Sequence, residues 1–110
     1  MNMIEKYEFG FFIVDKKRYD GDLIIVNNQP FLRIGHSHSI TEEEIKKLII
    51  ASKTKCLIIG TGYSGGASLD TKASKLLHDA GVRLNIGKTQ DIFKRVNTTE
   101  NCAAILHATC

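Results

Sequence analysis

The residues of this chain best suited to chemistry fall in three short stretches. The first is Gly60-Thr61-Gly62-Tyr63-Ser64-Gly65-Gly66, which follows the apolar run Cys56-Leu57-Ile58-Ile59 and matches the spacing GxGxxG. Glycines so spaced let backbone amides approach a pyrophosphate at a helix N-terminus. A dinucleotide site also needs the helix to begin within the glycines and an acid at the end of the next strand. Here no helix can start before Asp70, and the next strand ends Ile86-Gly87-Lys88-Thr89 without an acid. No cofactor is therefore expected. The remaining ligand reading is a small anion or nucleotide on one rim formed by Gly60, Thr61, Gly62, Ser64, Lys88 and Thr89. The plainer reading is a tight turn, with Thr89 capping a helix and Lys88 in water.

The second stretch is the ending Ala103-Ala104-Ile105-Leu106-His107-Ala108-Thr109-Cys110, where an imidazole interrupts an apolar strand. His107 and Cys110 are candidates for a base and a thiol nucleophile. Three apart on an ideal strand, they point to opposite faces, so direct activation needs a bend at Thr109. A hydrogen-bonded core histidine is the competing reading. The third stretch, His36-Ser37-His38, puts two imidazoles on one strand face. Two ligands without a nearby Asp, Glu or Cys do not make a metal site, and none is expected. Paired carboxylates, a Ser-His-Asp order and a Walker-type phosphate loop, whose first glycine would stand at Val82 ahead of Gly87-Lys88-Thr89, are absent from the sequence.

The elements that must position these residues are legible from pattern. Glu8 to Val14, Leu23 to Val26 and Phe31 to Ile34 read as strands, with a polar, hairpin-like connection through Asp20-Gly21 and a turn at Asn27-Asn28-Gln29-Pro30. Thr41 and Glu44 have capping-box spacing, and Ile40 and Ile45 the spacing of a hydrophobic staple, predicting a helix from about Glu42 to Ser52. Cys56 to Ile59, Val82 to Ile86 and Ala103 to Ala108 are short apolar runs suited to strands covered on both faces. Between the first two, a helix from about Thr71 to Ala80 has Asp70 as N-cap and Gly81 beyond its end. Between the last two, a shorter helix capped by Thr89 carries Ile92, Phe93 and Val96 and ends near Asn97. The fold class is α/β, a β-α-β-α-β core with parallel strands, extended by N-terminal hairpin strands.

At 110 residues, 43% of them hydrophobic, the chain suits one domain, 1–110, with one core. No run is long and apolar enough for a membrane span, and the N-terminus lacks a secretion or organelle signal, so a cytoplasmic location is expected. The net charge of +3 arises in the second half. Its basic residues are scattered without interleaved aromatics, which argues against a nucleic-acid groove. Cys56, Cys102 and Cys110 form no CxxC pair and are odd in number, predicting reduced thiols.

Several of these residues together resemble one family: Arg18-Tyr19-Asp20-Gly21-Asp22-Leu23-Ile24-Ile25, Leu57-Ile58-Ile59-Gly60-Thr61-Gly62, Gly81 before a strand, Thr89, Asn97, and the His107-Ala108-Thr109-Cys110 ending. The chain looks like a member of the small domain-of-unknown-function family that includes the adipogenesis-associated Mth-domain protein and a mitochondrial respiratory complex I assembly factor. The resemblance implies a three-layer fold with a central mixed sheet and no known reaction. It favours an interaction or ligand-binding module over an enzyme, with another protein or a second copy of the chain as the partner. Asn97-Thr98-Thr99-Glu100-Asn101 replaces a longer stretch found in relatives, and the chain has no mitochondrial leader, so neither that loop's role nor the respiratory role carries over directly.

Overall fold

The computed structural model describes residues 4–34 and 38–110, so His36 and Ser37 of the two-imidazole segment lie outside the described residues. The element order is β1 (Ile4–Glu8), β2 (Phe11–Val14), β3 (Lys17–Asp20), β4 (Leu23–Val26), β5 (Gln29–Leu32), β6 (Ser39–Ile40), α1 (Glu42–Ser52), β7 (Cys56–Gly60), β8 (Ser68–Leu69), α2 (Thr71–Asp79), β9 (Arg83–Gly87), α3 (Thr89–Ile92), α4 (Arg95–Thr98) and β10 (Ala103–Leu106). A central mixed sheet has the order β5-β4-β10-β7-β9, with β10, β7 and β9 parallel and β4 and β5 antiparallel to their neighbours. The antiparallel β1-β2-β3 sheet is separate, and β6 and β8 make a two-residue parallel pair.

Alternation along the central strands divides the core in two. Leu57, Ile59, Ala103 and Ile105 face α1 and α2, packing with Ile45, Leu48, Ala73 and Leu77. Cys56, Ile58, Ala104 and Leu106 face the β1-β2-β3 sheet and the short helices, packing with Ile4, Tyr7, Phe12 and Phe93. The expected three layers are thus sheet, sheet and helices. The helix layer is narrow for its sheet. Two helices of about 10 Å diameter cover about 20 Å, whereas five strands about 4.8 Å apart need about 24 Å. The strip left over is β5 and its edge of β4.

Both N-caps form, although the Glu44 carboxylate of the capping-box pair is taken by Arg33. Thr41 accepts from the Glu44 amide at 3.3 Å, Asp70 accepts from that of Lys72 at 3.0 Å, and the staple pair Ile40 and Ile45 is buried. The N-terminal third differs from the pattern reading. The run from Glu8 to Val14 is broken at Gly10 (φ 96°), and the polar connection contains β3. The two-residue turn Asp15-Lys16 has φ of 49° and 70°, the primed-turn conformation that matches strand twist, here built without glycine. Instead of one helix after Thr89 there are two short ones, α3 and α4.

The expectation of three reduced thiols is also corrected: Cys56 and Cys102 form a disulfide, with Cα atoms 4.6 Å apart. Parallel pairing of Leu57 with Ala103 brings the preceding residues side by side, a proximity that sequence spacing could not show. Cys110 is free and exposed.

Candidate functional site

The carboxyl ends of β7, β9 and β10 meet as expected, but the glycine turn there holds the chain's own tail. His107 N donates to Gly60 O at 2.9 Å, Tyr63 N to Thr109 O at 2.8 Å, and Gly66 N to Cys110 O at 2.6 Å. Gly62 has φ 102°, and a Cβ on it would stand 2.6 Å from both His107 Cδ2 and Thr109 O. Gly60, Gly62 and Thr89 are buried, Thr61 is half-buried with its hydroxyl 3.2 Å from Gly87 O, and Ser64 and Lys88 are exposed. Thr89 is not a helix cap, since Lys88 holds that position. Its hydroxyl instead donates to His107 O and accepts from Gly62 N, both at 2.8 Å, tying α3, β10 and the turn together.

Behind the turn lies a polar network that the sequence reading did not single out. Asp22 Oδ1 accepts from Ala108 N at 2.8 Å, and His107 Nδ1 lies 3.0 Å from both Asp22 oxygens. A carboxylate can only accept, so Nδ1 carries the proton and Nε2 faces the Thr109 hydroxyl at 3.4 Å. Arg33, its side chain only 2% exposed, donates to Asp22 Oδ2 at 2.8 Å and forks onto Glu44 at 2.6 and 2.8 Å. Burial opposes the guanidinium charge, but the Glu44 and Asp22 bonds outweigh it and raise its pKa above the ordinary value. Tyr7 adds a bond from its hydroxyl to Ala108 O at 2.9 Å. Burial, then Tyr63 and Asp22, push that phenol up to about 12. Arg33 in an apolar strand end and Asp22 after Gly21 were the only signals available, and both also fit an exposed hairpin.

The tail leaves strand geometry after Leu106, and the bend carries Cys110 towards His38 rather than His107. Its Sγ is 3.7 Å from His38 Nε2, and the His38 ring stands edge-on to His107 with centroids 4.8 Å apart. Among the described residues no three His, Cys, Asp or Glu side chains are grouped to hold a metal. No described helix is long and apolar enough to cross a membrane.

A family model described as "Protein of unknown function (DUF498/DUF598)" matches residues 4–107. The chain belongs to this family. The match runs through every element from β1 to β10, taking in Asp22, Arg33, Thr89 and His107 of the buried network, while Cys110 lies beyond it. No curated protein matches the chain. Among solved structures, the family fold recurs in a conserved hypothetical protein from Pyrococcus horikoshii, 28% identical over 97% of this chain and 98% of that one, with a TM-score of 0.85. An outer membrane protein from Bartonella henselae is 21% identical over 99% and 96%, with a TM-score of 0.83. A Bordetella pertussis protein described as a Mth938-like domain is 13% identical over 97% and 85%, with a TM-score of 0.69. The last two likenesses concern the fold alone.

Proposed function

We propose that this DUF498/DUF598 chain is a non-catalytic interaction module that seats an apolar helical face of another protein, an assembly role like that of the complex I assembly factor it resembles. The observation that supports this is the uncovered strip beside α1. There Ile24, Val26 and Phe31 floor a groove of about 450 Å³, walled by Leu48 and Ala51 and rimmed by Glu43, Glu44 and Lys47. Phe31 is 53% exposed and Ile34 at its mouth 95%. The floor and the wall given by Leu48 and Ala51 are apolar side chains, which suits the apolar face of a helix lying beside α1.

Strand addition to β5 is a poorer fit. Arg33 N bonds Asp22 O, so alternation along the ladder turns the main-chain groups of Pro30 and Leu32 outward. Proline has no N–H to give, leaving Leu32 as the strand's one outward donor. The small-anion reading at the glycine rim loses support for a different reason: the amides of Thr61, Gly62, Tyr63, Gly65 and Gly66 are all spent inside the protein.

The test is capture of a partner by the intact chain from extracts of its native cells. Wild type should retain a partner that Phe31→Asp and Ile34→Asp both lose, while Ile50→Asp, on an exposed position outside the groove lining, keeps it. Retention by both groove variants would sink the reading, as would a partner-free chain that turns over a metabolite. Self-association abolished by the same two changes would replace the foreign helix with a second copy.

A further inference from the structure

At the opposite end of the sheet, the amino ends of β7, β9 and β10 surround a polar cleft of about 680 Å³ with the Cys56–Cys102 disulfide in its lining. Lys53, Lys55 and Arg83 line it against a single acid, Glu100. Lys55 is held on Ala80 O at 2.9 Å, while Arg83 is in register with Cys56 across the β7–β9 pairing. Four of the six described non-glycine residues with positive φ, namely Asn27, Asn28, Lys53 and Asn101, also line this cleft. Asn27 and Asn28 make the β4–β5 turn, Lys53 caps the C-terminus of α1 and Asn101 turns the chain into β10, so three chain reversals wall the cleft.

We propose that this cleft is a thiol–disulfide exchange site for a small thiol carrying carboxylates. The thiolate attacks Sγ of Cys102, the more exposed partner at 9% against 4% for Cys56. A new sulfur–sulfur bond forms to Cys102, the Cys56–Cys102 bond breaks, and Cys56 leaves as a thiolate, taking a proton from solvent. A second thiolate attacks the sulfur of the bound thiol, releasing Cys102. The balance is two small thiols oxidised to one disulfide and the protein disulfide reduced to two thiols. Leaving is faster for a thiol of lowered pKa, and a neighbouring cation stabilises the thiolate, which is the part Arg83 plays beside Cys56. Lys53 is placed to meet the substrate's carboxylates.

The site survives reduction because a second tie spans it. Thr54 Oγ1 accepts from Cys56 N at 3.1 Å and bonds Asn101 O, the residue before Cys102. With the β7–β10 ladder, this keeps the two sulfurs together when the covalent bond is open.

The test measures disulfide opening in the folded chain by thiol trapping and mass spectrometry, with glutathione as the anionic probe and 2-mercaptoethanol as the neutral one. Opening should be first order in glutathione. Arg83→Ala should slow it for both probes and Lys53→Ala for glutathione alone, each by about fivefold, the upper range for one exposed charge contact. Cys56→Ser leaves Cys102 as a free thiol, which oxidised glutathione should convert to a lasting glutathione adduct, with one reduced glutathione released. An opening rate independent of thiol concentration would overturn the proposal. So would indifference to both charge changes, or failure of the reduced chain to reclose with oxidised glutathione.

Discussion

Thr89 shows what a single hydroxyl is worth when both of its hydrogen-bonding roles are filled. It is fully buried and bridges Gly62 N to His107 O. Thr89→Val keeps the shape and strands both partners, so stability should fall by about 1–3 kcal/mol for each group left unpaired. Urea unfolding checks this, and Thr89→Ser should recover most of the loss. Residue type drew notice to Thr89 and His107, and the reading of His107 as a hydrogen-bonded core histidine holds, but nothing in the sequence named the partners. Asp22 is 85 positions from His107, and a polar residue whose partner is that distant looks the same as one facing a ligand. The same holds for Cys56 and Cys102, whose 46-residue separation concealed their contact.

Among elements, those with local punctuation were legible and those without it were not. Helices α1 and α2 announced themselves by Thr41 and Asp70, and the buried strands β7 and β10 by unbroken apolar runs. Strand β3 was hidden because Lys17, Arg18 and Asp20 are exposed and its turn lacks glycine. Its order comes from neighbours in space, with the Arg18 guanidinium 3.9 Å over the Phe11 ring. The glycine turn was visible as an element and misleading as chemistry, since a tail passing over glycines needs the same absence of Cβ that a phosphate would. Gly62→Ala separates these demands: its methyl collides with His107 and Thr109 at a positive φ. The strained backbone alone costs about 1–3 kcal/mol, and displacing the tail adds to it. Thermal unfolding should show the loss, and the Tyr63 amide should lose protection in hydrogen exchange.

For the molecule as a whole, Tyr7 and Gly10 both reach Ala108 O, at 2.9 and 2.8 Å, and bind the first sheet to the tail of the second. The Tyr7 phenol, raised to about 12 from an ordinary 10.0, makes that tie sensitive to alkali. Between those values the unfolded chain releases its proton while the folded chain holds it, so this contribution is intact below pH 10 and lost as pH rises towards 12. An alkaline titration followed by phenolate absorbance should contain one step near pH 12 that disappears in Tyr7→Phe. A native chain without that step would refute the burial argument.

The place of β10 between β4 and β7 bears on how the protein is made. The ribosome releases β4 and β7 well before the strand that joins them, so each waits with an open edge and an apolar face in water. The central sheet cannot close until β10 emerges, and only then do its two halves meet. Contacts so distant in sequence close slowly, and unpaired edges invite pairing between chains. Nascent chains stalled before Ala103 should therefore depend on chaperone shelter, while chains stalled beyond the tunnel should not.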